Sequence, residues 1–193
     1  VNGKFRIDGV TGPDEYTAVV NNNTFTNLAA QQNLRDAVAA VHRRPDLAEQ
    51  FGVTTAEAAH WEACADDMTI PFDDALGVHQ QCESFTLLGA WDFESSVGRY
   101  PLLLNYPYYD LYRKQVVKQA DLVFATYLFG DAFTPEQKLR NFDYYYPLTV
   151  RDSSLSACCE AVTAAEVGYL DLAYDLLAWN GEDLRTLPLA ERR

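Results

Sequence analysis

No run of apolar residues in this sequence approaches the roughly 18 needed to cross a bilayer, which excludes a membrane-spanning helix. Its first residues lack the basic-then-apolar pattern of a secretory leader, so the chain is expected to be soluble. Cysteines are few: Cys64, Cys82, Cys158 and Cys159 show neither CxxC spacing nor clustered histidines, which removes support for a zinc site and points to reduced thiols in a cytoplasm. His42, His60 and His79 have no metal or relay spacing and are expected on helix surfaces or in loops. Basic residues are scarce as well. With 15 of them against 28 acidic ones the formal charge is −13, which argues against a nucleic-acid or anionic-membrane partner and favours a neutral substrate. There is no internal repeat, no low-complexity tract and no β-rich segment.

A length of 193 residues suits a single core. The 12 tyrosines could form a wall that stacks on sugar rings, although most are expected at helix contacts. Periodicity is helical wherever it is clear. Ala58, Trp61, Ala65 and Met68 form one stripe behind a Thr54/Glu57 capping box. Thr134, Pro135 and Gln137 give a second start signal ahead of Leu139 and Phe142. Val116, Ala120, Val123 and Tyr127 predict another helix, and Ala157, Ala161, Ala164, Gly168, Leu172 and Leu176 predict a long last one. Cys158 and Cys159, adjacent on that helix, read as small packing residues. Trp61 and Trp91 read as core. Residues 68–80, 95–109 and 144–152 are expected as long loops, the kind that carries function.

Three motifs carry chemistry. Gly12-Pro13-Asp14-Glu15-Tyr16 sets an acid on a Gly-Pro turn, close to the amide-rich segment Asn21 to Asn27 that opens a helix. An acid that protonates a glycosidic oxygen needs a raised pKa and a rigid backbone; Pro13 fixes one angle, Gly12 permits an unusual one, and Asp14 can raise the pKa of Glu15. The same residues also read as a surface turn with Asp14 capping the next helix. Lys118-Gln119-Ala120-Asp121 would put Lys118 and Asp121 on one helical face as a solvated ion pair. Thr149-Val150-Arg151-Asp152-Ser153-Ser154 precedes the last helix, where hydroxyls and open N–H groups suit an anion, or where Asp152 or Ser153 simply caps.

Taken in order, these motifs resemble those of glycoside hydrolase family 65, the maltose, trehalose and kojibiose phosphorylases and their hydrolase relatives. The resemblance runs from about Phe5 to Leu177. It implies an all-α fold, the later part of an (α/α)6 barrel, with residues 1–179 as a partial catalytic domain and 180–193 as a divergent tail. It implies Glu15 as acid catalyst, Lys118 and Gln119 as contacts to the glycosyl unit, and Ser153 and Ser154 as phosphate ligands. The implied reaction is phosphate-dependent cleavage of an α-linked glucose disaccharide with inversion, giving glucose 1-phosphate and glucose. No metal or cofactor is implied beyond inorganic phosphate as co-substrate, and a full-length member could be a homodimer.

Two departures bear on that expectation. The histidine that helps to bind phosphate in the phosphorylases has no counterpart, since His79 is the last in the chain. Glu160 stands where phosphorylases tend to carry an uncharged polar residue or His. As a base it would make the protein a hydrolase, with the two carboxyls about 6.5 to 9.5 Å apart. As a plain first-turn residue it would only favour the helix start. A third expectation is an inactive fragment whose apolar helix faces lack a cover.

Overall fold

Asn23 begins the longest helix of the computed structural model, which describes residues 3–119, 121–150, 154–179 and 182–183. Its side chain accepts the Thr26 N–H at 2.9 Å, filling a donor that a helix start leaves open, and α1 (Thr24–Arg43) follows. Pro45, whose missing N–H costs nothing in a first turn, opens α2 (Pro45–Gln50). Thr54 accepts the Glu57 N–H at 3.1 Å and starts α3 (Thr55–Asp66), as the sequence predicts. This helix packs along α1: Gln31 Nε2 donates to the Ala65 carbonyl at 2.8 Å, and the small buried Ala58 and Ala65 let the axes approach. Trp61 is half-buried there, and Met68 lies beyond the helix end, bridged to Phe5.

The segments expected as loops hold small regular pieces. Residues 72–79 form a hairpin of β1 (Phe72–Asp73) and β2 (Val78–His79), and β3 (Gly89–Ala90) later pairs in parallel with β4 (Lys114–Gln115). One-turn helices α4 (Leu102–Asn105) and α5 (Tyr108–Leu111) lie between β3 and β4. His79 is neither on a helix surface nor in a loop. It is buried in β2, edge-on to the Phe72 and Phe133 rings at 4.9 Å each, and burial lowers its pKa.

The helix predicted from Val116 starts later, as α6 (Asp121–Leu128). Val116 and Val117 are extended instead, because Val117 bridges to Thr149 and donates its N–H to the Leu148 carbonyl at 2.9 Å. α7 (Pro135–Tyr145) has both halves of its capping box: Gln137 N donates to Thr134 Oγ1 at 3.2 Å and Thr134 N to Gln137 Oε1 at 2.9 Å. The predicted long last helix is two, α8 (Ser154–Glu166) and α9 (Leu170–Asp175). Gly168, at φ +95°, takes the left-handed turn that separates them. A short pair, β5 (Ala178–Trp179) with β6 (Glu182–Asp183), follows. Asp152 and Ser153, the expected caps of α8, lie outside the described residues.

The main core is built on α6, whose Leu122, Val123 and Ala125 are wholly buried. Phe142 and Tyr145 of α7, Cys159 and Ala164 of α8 and Leu28 of α1 close around it. Cys159 packs as expected, whereas Cys158 is exposed; all four cysteines are free. A second cluster of Tyr16, Leu102, Leu111 and Val116, with Trp91 against it, supports the segment that carries Glu15. Tyr127 and Leu128 of α6 and Leu155 and Val162 of α8 stay exposed. Among the described residues, no helix is long and apolar enough to cross a membrane.

Candidate functional site

Residues 10–20 form a loop closed at its neck, where Val10 and Val20 exchange both backbone hydrogen bonds at 2.9 Å. Gly12 stands where this loop presses against α1 and α6. A Cβ there would fall 2.7 Å from Asn23 Cγ and closer still to Asn23 Nδ2 and Asp121 Oδ2, so the glycine is required by space. It is not among the residues of positive φ, which corrects the expectation of an unusual backbone angle. Asn23, besides capping α1, donates through Nδ2 to Asp121 Oδ2 at 2.9 Å and to the Gln81 carbonyl at 3.2 Å.

Asp14 caps nothing and is not at the surface. Its side chain is fully buried and accepts from Lys118 N at 2.9 Å, Tyr16 N at 3.2 Å and Gln81 Nε2 at 2.8 Å. Burial raises its pKa to about 6 against these hydrogen bonds. Burial likewise raises Asp121 to about 7, with the Asp14 charge adding to the effect. Lys118 and Asp121 therefore do not form the helix-face ion pair that their spacing predicts. Lys118 precedes the helix and Asp121 is buried at its start, bonded to Asn23.

Glu15, between the buried Asp14 and Tyr16, has 55% of its side chain open to solvent. Lys118 Nζ donates to its Oε2, and Gln119 Nε2 to its Oε1 at 3.3 Å. Gln119 also accepts the Glu15 N–H on its own Oε1 at 3.2 Å, so one amide grips both the backbone and the carboxyl of the acid. Residues 103 and 104 positions apart thus meet at one point. The Lys118 hydrogen bond, with a smaller one from Gln119, lowers the Glu15 pKa. This is the opposite of the raised value expected of a proton donor, and the cause is an ammonium group on a carboxyl that is hardly desolvated. Tyr108 donates its hydroxyl to the Glu15 carbonyl at 2.6 Å.

The third motif approaches the second through the backbone. Val150 N donates to the Val117 carbonyl at 2.9 Å, and Ser156 Oγ in the first turn of α8 donates to the Lys118 carbonyl at 3.2 Å. Ser154 opens α8, and Ser153 lies outside the described residues. Glu160, one helical turn beyond Ser156, is completely buried. A cavity of about 320 Å³ lies beside the site, bounded by Pro13, Gln119 and Asp121 on one side and Phe124, Leu155 and Cys158 on the other. Sequence reasoning missed Gln81 and Tyr108. One glutamine of the Gln80-Gln81 pair and one tyrosine among 12 give no periodic or motif signal.

A helix-rich chain carrying a carboxylate gripped by a lysine and a glutamine fits a carbohydrate-processing domain, and comparison with known proteins places it further. The chain belongs to glycosyl hydrolase family 65: residues 1–186 match the model of that family's central catalytic domain. It is 59% identical over 174 residues to an uncharacterized glycosyl hydrolase of Mycobacterium tuberculosis, covering 90% of this chain and 22% of that protein. It is 42% identical over 182 residues to the alpha,alpha-trehalose phosphorylase of Geobacillus stearothermophilus, covering 90% of this chain and 24% of the enzyme. A solved human-microbiome structure, provisionally assigned as a kojibiose phosphorylase, superposes with a TM-score of 0.80 at 27% identity, over 91% of this chain and 27% of the other. The chain thus spans about a quarter of the length of the relatives it matches.

Proposed function

We propose that the chain is the acid-bearing part of an inverting α-glucoside phosphorylase, its helices forming the later portion of an (α/α)6 barrel. The observation that carries this reading is the meeting of Glu15 with Lys118 and Gln119. In the reaction, the Glu15 carboxyl gives its proton to the glycosidic oxygen as the bond from that oxygen to the anomeric carbon breaks. A phosphate oxygen forms the new bond to that carbon from the opposite face. The products are glucose and glucose 1-phosphate of inverted configuration, and Glu15 is left as a carboxylate beside Lys118, the arrangement seen here. Lys118 and Gln119 have donors for sugar hydroxyls. When those donors turn to a bound sugar, the contacts that lower the Glu15 pKa are relieved and the acid can hold its proton.

Ser153 and Ser154 are assigned to phosphate because Ser154 opens α8 and Ser153 precedes it in the sequence, and a helix start favours an anion through its open N–H groups and dipole. Phosphate supplies its own nucleophilic oxygen, so no second carboxylate is needed. Water activation by Glu160 is the competing reading. The complete burial of that side chain favours phosphorolysis over it. The four free cysteines suit a reducing compartment, and we assign the reaction to the cytoplasm. The substrate class is an α-linked glucose disaccharide of the trehalose, maltose or kojibiose type, in keeping with the activities named for the relatives.

The test is release of glucose 1-phosphate from these three sugars by the complete polypeptide that the gene encodes. Turnover that requires phosphate supports the proposal. Hydrolysis without phosphate would transfer support to Glu160 as base, and inactivity under both conditions would leave a non-catalytic protein.

A further inference from the structure

Every side-chain contact that holds the Glu15 carboxyl in the resting structure is one that a sugar would compete for. Lys118 Nζ and Gln119 Nε2 bind the carboxylate now, and under the reading above they turn to hydroxyls when substrate enters. Something else must keep the segments of Glu15 and of Lys118 in register while those contacts exchange. Asp14, the residue before the acid, has the geometry for it. Its Oδ1 accepts from the backbone N–H of Lys118 at 2.9 Å, of Tyr16 at 3.2 Å and of Gln119 at 3.4 Å. Its Oδ2 accepts from Gln81 Nε2 at 2.8 Å and Thr17 Oγ1 at 3.4 Å. None of its surface is open to solvent, so no sugar hydroxyl can displace these donors.

The far side of the clamp is fixed too. Gln81 takes its backbone N–H to the Tyr145 hydroxyl at 2.7 Å, which ties it to α7 and the main core. Its Nε2 also donates to Thr17 Oγ1 at 3.2 Å, while its buried Oε1 has no hydrogen-bond partner among the described residues. The amide is therefore arranged for donation to the Asp14 loop. The hydrogen bonds themselves favour the ionised acceptor, because several N–H groups converge on one oxygen and such bonds are roughly twice as strong, while burial opposes the charge.

We propose that Asp14 is a positioning residue for the acid: its buried carboxyl pins the Lys118 and Gln119 peptides to the Glu15 loop and so sets the reach of Glu15 to the glycosidic oxygen. This rests on the assignment of Glu15 as proton donor. Asp14 touches no substrate, and its effect on proton transfer passes through the neighbour that follows it in the chain.

The test compares two leaving groups in the complete polypeptide. Trehalose, maltose and kojibiose need a proton on the departing oxygen, whereas α-glucosyl fluoride loses fluoride without one as phosphate displaces it at the anomeric carbon. Asp14→Asn keeps the size of the side chain and one acceptor oxygen. It should lower disaccharide kcat about tenfold while leaving fluoride kcat within about threefold, because misplacement by a fraction of an ångström is felt only where aim is needed. Asp14→Ala should deepen the selective loss to about a hundredfold. If that variant does not fold, Asp14→Asn decides alone. An equal loss on both kinds of substrate, or no loss on the disaccharide, overturns the positioning role. Glu15→Gln in parallel separates the two claims: selective loss on disaccharides upholds the acid whatever Asp14 does, and unchanged disaccharide turnover removes the acid and the role of Asp14 with it.

Discussion

Glu15 and Asp14 are neighbours with opposite environments, and the difference decides what each can do. One carboxyl is half open and drawn below its usual range by Lys118; the other is sealed and raised to about 6. Replacing Glu15 with Gln keeps the grip of Gln119 on the backbone and removes the transferable proton. Disaccharide turnover should fall by about 10² to 10⁴ with KM little changed, measured by steady-state phosphorolysis. Lys118→Met should move the Glu15 titration upward toward the ordinary carboxylate range, because the first cause of its lowering is gone; carbon-13 NMR of the carboxyl checks the direction. Gly12→Ala forces a methyl group into the buried Asn23–Asp121 hydrogen bond and should cost about 1 to 3 kcal/mol of stability, read from urea unfolding. Glycine at position 12 was legible as a special residue, yet for the wrong reason. Sequence can show that a Cβ is missing, but only the fold shows whether an angle or a neighbour forbade it.

Elements announced by local chemistry were legible, and those set by tertiary pairing were not. Thr54 and Thr134 each start the helix expected of them, since a side chain that accepts an N–H three residues on needs no information from the rest of the chain. The stripe beginning at Val116 misled only at its start, where the pairing of Val117 with residues 148–150 holds the chain extended and delays the helix to Asp121. Lys118 and Gln119 reach Glu15 from the bend that follows that extended stretch. The start of α6 also carries a pH signature. Asp121, raised to about 7, and Asp14, raised to about 6, hold protons more tightly in the folded state than at the ordinary value of 3.8. The stability they contribute is therefore complete below about pH 4 and is lost as pH rises through 6 and 7. Asp121→Asn should flatten the fall in urea midpoint over that window, and a slope unchanged from the parent would show that Asp121 does not titrate there.

At the scale of the molecule, α6 and α8 bury one side in the core and leave Tyr127, Leu128, Leu155 and Val162 exposed, with Tyr127, Leu155 and Val162 lining the 320 Å³ cavity. An exposed apolar strip of that kind drives association. The 193-residue chain on its own should sediment as a concentration-dependent mixture, and replacing Leu155 and Val162 with Ser and Thr should shift it toward monomer. The family was legible because short motifs survive where overall likeness thins. What those motifs touch was not, for Gln81 and Tyr108 meet the acid loop only through folding.

The loop neck at Val10 and Val20 closes locally, but the groups from outside the loop that hold Asp14 and Glu15 are translated 67 to 105 residues later. A nascent chain therefore displays Glu15 long before Lys118 and Gln119 are there to hold it. On the proposed role of Glu15, cleavage would wait on the docking of those distant segments, and turnover would then be a sensitive gauge of completed folding.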